Sequence, residues 1–142
     1  MLKTIAAVLI SVLYIVLSNN LVICAEPSDK PMLSAKILPF NQKNLTKLNA
    51  SKSNPFITIY DKHIVVSWNN SKTTKSIQPS ELALTLSQIP EKHWPLGRAV
   101  GVMYCGISSS GSEVKKYRQD AWKSVETTLK EMKIYLNACP CA

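Results

Sequence analysis

Ile5 to Leu17 is a nearly unbroken apolar run, placed behind Lys3 and followed, at Ile23-Cys24-Ala25, by a small residue just ahead of Glu26-Pro27. A basic start, a short apolar stretch and a small-residue boundary are the parts of a secretory leader, with cleavage expected after Ala25. Residues used for export take no part in a core, so the fold is built from the chain beyond Ala25. In a chain of 142 residues that leaves one domain with one core.

Met1 to Ala25 also reads as an uncleaved anchor, because Ile5 to Ala25 approaches the roughly 20 apolar residues that cross a bilayer. Asn19 and Asn20 interrupt the apolar character and favour the cleaved form. Lipidation at Cys24 is the weakest of the three readings, since the residue before such a cysteine is ordinarily small and here it is Ile23.

The formal charge is +8, and loss of Lys3 with the leader leaves about +7 from 16 basic and 9 acidic residues. Such a balance attracts anionic surfaces at long range. The lysines are scattered, not interleaved with aromatics on a recognisable module, so nucleic acid is not the expected partner. The expected partners are another extracytoplasmic protein, a cell-envelope component or an anionic surface, with a homodimer as a further option.

Removal of the leader takes Cys24 and leaves Cys105, Cys139 and Cys141, an odd number. Disulfides persist outside the cytoplasm. Cys139-Pro140-Cys141 has no nearby His or further Cys to complete a thiolate metal site, and no cofactor is expected.

Residues 26–55 are rich in Pro, Ser, Asn and Lys and read as a polar, mostly irregular linker, with Ala35 to Leu38 as a candidate edge strand. The ordered domain is expected over residues 56–142. Phe56 to Tyr60 and His63 to Trp68 are β-rich runs separated by Asp61-Lys62, the signature of a hairpin. After the polar stretch Asn69 to Ser76, Pro79 and Glu81 supply helix-start chemistry, and Leu82, Leu86 and Ile89 recur at helical spacing up to Pro90. Trp94-Pro95-Leu96-Gly97 marks a turn, and Ala99 to Ile107 reads as a buried central strand. From about Glu113 to Lys133, Val114, Tyr117, Ala121, Val125, Leu129 and Met132 step by three or four along one helical face. Ile134-Tyr135-Leu136 adds a last strand. The expected fold is therefore α+β, a small two-layer sandwich in the order β-β-α-β-α-β, with one sheet and two helices on one of its faces. A last strand returning beside Ala99 to Ile107 carries the tail toward Cys105, and the disulfide expected is Cys105 with Cys139.

Ile57-x-Ile59 with Ile64-x-Val66, Glu81-Leu82 opening a helix, the Val100-x-Val102 strand and a helix running into Ile134 together resemble the periplasmic domain of the ExbD/TolR family of biopolymer transport proteins, over roughly Ile57 to Leu136. In that family an N-terminal transmembrane helix carries an aspartate used in proton-driven work, and the soluble domain dimerises or engages periplasmic partners. Ile5 to Ala25 contains no Asp. What the resemblance implies for this chain is the fold and an exported binding role.

Gly106-Ile107-Ser108-Ser109-Ser110-Gly111 lies between a strand and a helix, where a nucleophile elbow or phosphate loop would sit, but it matches neither pattern. What remains is an anion-binding candidate made of Ser109, Ser110, Gly111, Lys115, Lys116 and Arg118 at a helix N-terminus. His63 and His93 read as surface residues, and Trp68, Trp94 and Trp122 as packing. The carboxylates show no spacing that pairs two of them for acid and base work. An exported, non-enzymatic binding or interaction domain is the expected function. The alternative is a small hydrolase or thiol enzyme using Cys105 or a serine of Ser108 to Ser110.

Overall fold

A computed structural model describes residues 30–105 and 111–139. The hairpin forms as β1 (Phe56–Ile59) and β2 (Ile64–Trp68), and a third strand, β3 (Thr73–Ile77), extends it antiparallel. Strands β4 (Ala99–Tyr104) and β5 (Tyr135–Ala138) join on the other side in parallel, giving the order β3-β2-β1-β4-β5. The register aligns Val66, Ile57 and Val102 in one cross-strand row, and Ile77, Ile64, Ile59 and Tyr104 in the next. Because side chains alternate along a strand, all of these stand on one face, and Ile57, Ile59, Ile64, Val66, Val100 and Val102 there are fully buried.

That face is covered by α2 (Leu82–Ser87) and α3 (Ser112–Glu131), each inserted between two strands as a crossover. Glu81 reaches back to accept the Gln78 backbone N–H (2.8 Å), fixing the start of the turn that leads into α2. Leu82 and Leu86 of α2, and Ala121, Val125 and Leu129 of α3, face the sheet at the spacing of one helical stripe. Trp94 joins this core, with Trp68 and Trp122 packed on its rim. At the end of α3, Lys133 takes a left-handed conformation (φ 56°), and Lys133 and Ile134 return their N–H groups to Lys130 and Leu129.

The class is α+β, as expected, with α2 and α3 on one face of the sheet. The expected order β-β-α-β-α-β is corrected by β3, which grows out of the polar stretch after Trp68. Only Ile77 of that edge strand is buried, so its sequence carries no alternating pattern. The turn into it places Asn69, Asn70 and Ser71 at positive φ (57°, 54° and 63°), a conformation Asn tolerates better than most residues.

Residues 30–55 are a packed strap instead of a linker. Leu33 and Ile37 enter the main core, and Leu48 is buried outside it. Ala35 to Ile37 forms a turn instead of the expected edge strand. After a single 3-10 turn (Gln42–Asn44), α1 (Leu45–Ala50) packs against β4. Asn137 of β5 donates to Asn49 (2.7 Å), and Phe40 stacks on Tyr135 at 4.6 Å between ring centres. The strap therefore leaves the helical layer and finishes on the opposite face of the sheet.

Candidate functional site

Strands β1, β4 and β5 run the same way, so their C-terminal ends gather the Tyr60–His63 turn, Cys105, the start of α3 and Cys139 at one end of the molecule. Of the residues read from the sequence as candidates, Cys105, Gly111, Lys115, Lys116, Arg118 and Cys139 meet here. Ends of parallel strands are where ligands settle in many α/β proteins, because the connecting loops diverge and leave a crevice.

The chemistry available at this end is restrained. Arg118 directs Nε (3.0 Å) and Nη2 onto the same Asp61 oxygen and has a side chain only 16% exposed. Its charge thus ties α3 to the β1–β2 turn and is not free for an anion. Lys115 and Lys116 stay exposed on the first turns of α3, and Gly111 at its start is open to solvent. Ser108, Ser109 and Ser110 lie outside the described residues. Tyr104 stacks on Trp122 (5.0 Å), and burial raises its pKa, an effect the neighbouring Arg118 partly opposes. The Tyr117 hydroxyl is buried without a hydrogen-bond partner among the described residues, and burial raises its pKa as well.

Among the described residues Cys105 and Cys139 are not joined to each other, and their places in the ladder weigh against the expected disulfide. The register supplies the reason. Val102 faces Ala138, so Met103 comes level with Cys139, and Cys105 lies two residues further along. A lateral strand spacing of about 4.8 Å and an axial offset of about 6.6 Å put their Cα atoms about 8 Å apart, beyond the roughly 7 Å limit for a disulfide. Cys139 is anchored by its N–H to the Val102 carbonyl (2.8 Å), and its thiol contacts the Asn137 amide (3.6 Å). Burial pushes that thiol up, which lowers its reactivity as a nucleophile. His63 shares this end and stacks on Tyr60 (5.1 Å), whereas His93 sits beyond the opposite end of β4. Among the described residues no three His, Cys, Asp or Glu side chains converge as metal ligands.

The opposite end, where β4 and β5 begin, is built by the strap and was not legible as a site in the sequence. Arg98 holds it there: its backbone N–H donates to Leu38 (2.8 Å), Nε to the Ile37 carbonyl (2.9 Å) and Nη2 to the Ser34 carbonyl (3.3 Å). Ser34 in turn donates to Glu91 (2.6 Å), and Lys30 lies 3.7 Å from Glu131 at the end of α3. Asn54, only 2% exposed, donates to the carbonyls of Gly97 and Ala99 (both 2.8 Å) and accepts from the Leu96 N–H (3.0 Å). Gly97 has φ 85°, and a Cβ there would lie 2.7 Å from the Leu38 oxygen, so the turn before β4 can meet the strap only with glycine at this position. With its backbone fixed this way, the strap turns Lys30, Lys36, Lys43, Lys47 and Lys52 to solvent, and no Asp or Glu occurs between Lys30 and Pro55. That run of one sign was the signal available in the sequence.

Among the described residues no helix is long and apolar enough to cross a membrane. No family model, curated protein or solved structure matches this chain.

Proposed function

We propose that the chain is an exported binding domain for an anionic partner of the cell envelope. The observation that carries this reading is the strap: five exposed lysines without an intervening carboxylate, on a segment fixed by burial of Leu33 and Ile37 in the core and of Leu48 outside it. Fixed cations of one sign raise the local concentration of an anionic surface and steer the encounter with it. The export leader and the resemblance to the ExbD/TolR periplasmic domain belong to the same proposal, as does partner binding, including self-association, at a face of the domain. The engagement of Arg118 with Asp61 weighs against anion chemistry at the loop end.

The test is export and capture. The full chain with a C-terminal tag is expected in the extracytoplasmic or membrane fraction, and crosslinking in intact cells should link it to an envelope component through the strap lysines. Retention of the chain in the cytosol would sink the reading. So would stoichiometric labelling by a broad thiol or serine probe that is lost on Cys105→Ala or on alanine replacement within Ser108 to Ser110, since it would favour the enzymatic alternative.

A further inference from the structure

The end of the domain where β4 and β5 begin combines three properties. It carries the two most exposed large apolar side chains of the described residues, Met32 at 75% and Leu38 at 72%. Met32 stands at a groove of about 260 Å³ beside Lys30 and Met132, and Leu38 stands at a second one beside Leu96 and Gly97. Around them Lys36, Lys92 and Lys133 are exposed, along with Lys30. The carboxylates at this end, Glu91 and Glu131, are each already engaged, by Ser34 and by Lys30. Finally, Lys30 is where the described chain begins, so the apolar segment Ile5 to Ala25 attaches to the molecule at this end and not at the loop end.

Exposed apolar side chains surrounded by lysines suit the boundary layer of a bilayer, where the apolar groups enter the acyl region and the ammonium groups stay among the phosphates. A soluble acidic protein would satisfy the lysines but gives no reason for Met32 and Leu38 to stand so far out of the core. We propose that this end of the domain docks on an anionic lipid surface, with Met32 and Leu38 entering the headgroup layer and Lys30, Lys36, Lys92 and Lys133 facing lipid phosphates. The inference rests on the exported-domain reading and names its partner. It also orients the molecule: the end bearing Asp61, Arg118 and Cys105 points away from the membrane.

Lysine acetylation followed by mass spectrometry tests this on the full chain reconstituted in vesicles of phosphatidylcholine alone or with phosphatidylglycerol added. Lys62, Lys115 and Lys116, at the far end, serve as internal references. Labelling of Lys30, Lys36, Lys92 and Lys133 is expected to fall about fivefold or more relative to the references in the anionic vesicles only, as electrostatic attachment of each lysine implies. The paired variant Met32→Asp/Leu38→Asp should lose that protection with an unchanged unfolding midpoint, because both side chains are exposed. Equal labelling in the two vesicle types overturns the inference. So does protection confined to the reference lysines, or protection that polyglutamate produces and anionic vesicles do not. If the vesicle result is negative while fractionation still finds the chain outside the cytosol, only the lipid partner falls; a cytosolic chain removes the parent reading.

Discussion

Phe56 and Gly101 face each other across the β1–β4 ladder, and the Phe56 ring occupies the space that a side chain at Gly101 would need. The Cys139 sulfur closes the same space from the β5 side, 3.3 Å from where a Cβ would stand. A glycine in a central strand loses packing and costs conformational entropy, and here the aromatic ring of the neighbouring strand fills the gap. Gly101→Ala is expected to destabilise the domain by about 1–3 kcal/mol through overpacking. Adding Phe56→Ala should recover about 1 kcal/mol or more relative to the sum of the single changes, the coupling expected of residues in contact. Urea unfolding of the four proteins measures this, and additive effects would show that the ring is not what excludes a side chain.

Asn54 joins the end of the strap to the turn before β4 through three hydrogen bonds in a buried setting. Asn54→Ala would leave the Leu96 N–H and the Gly97 and Ala99 carbonyls short of partners and should cost about 2–3 kcal/mol. Asn54→Asp should be worse, because it keeps the acceptor for Leu96 but sets a carboxylate against two carbonyl oxygens. Equal urea midpoints for the wild type and Asn54→Ala would remove this residue from the account of how the strap is held.

The thiols offer a direct check on the register of β5. Digestion of the non-reduced protein should yield no peptide linking Cys105 to Cys139, since their places in the ladder are too far apart. The other C-terminal cysteine, Cys141, lies outside the described residues and would remain as a partner for Cys105. Recovery of the Cys105–Cys139 peptide would mean that β5 pairs in a different register.

These relations show which parts of the fold are legible in the sequence. The β1–β2 hairpin, β4 and α3 follow from periodicity, because each contributes several apolar residues to one face: Ile57 and Ile59, Val100 and Val102, Ala121, Val125 and Leu129. β3 is hidden because an edge strand needs a partner on one side only, and Thr73 to Ser76 leave no apolar trace of it. The strap is hidden for a different reason: Leu33, Ile37 and Leu48 are spaced by turns and a short helix, so their burial has no single period. At the loop end the sequence located Arg118 but not its engagement with Asp61, which depends on a contact between residues 57 apart in the chain. How far Cys105 lies from Cys139 depends on register, which a hydrophobic pattern reports only to within one face of a sheet.

Stability should fall on the alkaline side, and the residues responsible can be named. Burial holds the Cys139 thiol above its ordinary value of 9.0. Tyr104 and Tyr117 are likewise held above 10.0 by burial, with Arg118 pulling Tyr104 partly back. In each case the neutral form is favoured in the folded state, so between the unfolded and folded pKa values the native protein holds more protons than the unfolded chain. Stability then decreases as pH rises. These groups contribute their full stability below the unfolded value, and it is lost as pH climbs through the folded one, first at Cys139 and then at the tyrosines. Urea midpoints measured from about pH 7 to about pH 11 should be flat with respect to these groups up to about 9 and decline beyond it. Cys139→Ala should flatten the earlier part of the decline. Tyr117→Phe should flatten the later part without loss at neutral pH, because its buried hydroxyl has no partner among the described residues to lose. A Tyr117→Phe protein that is clearly weaker at neutral pH would mean that the hydroxyl is bonded in solution, and an unchanged alkaline limb in both variants would place the titration elsewhere.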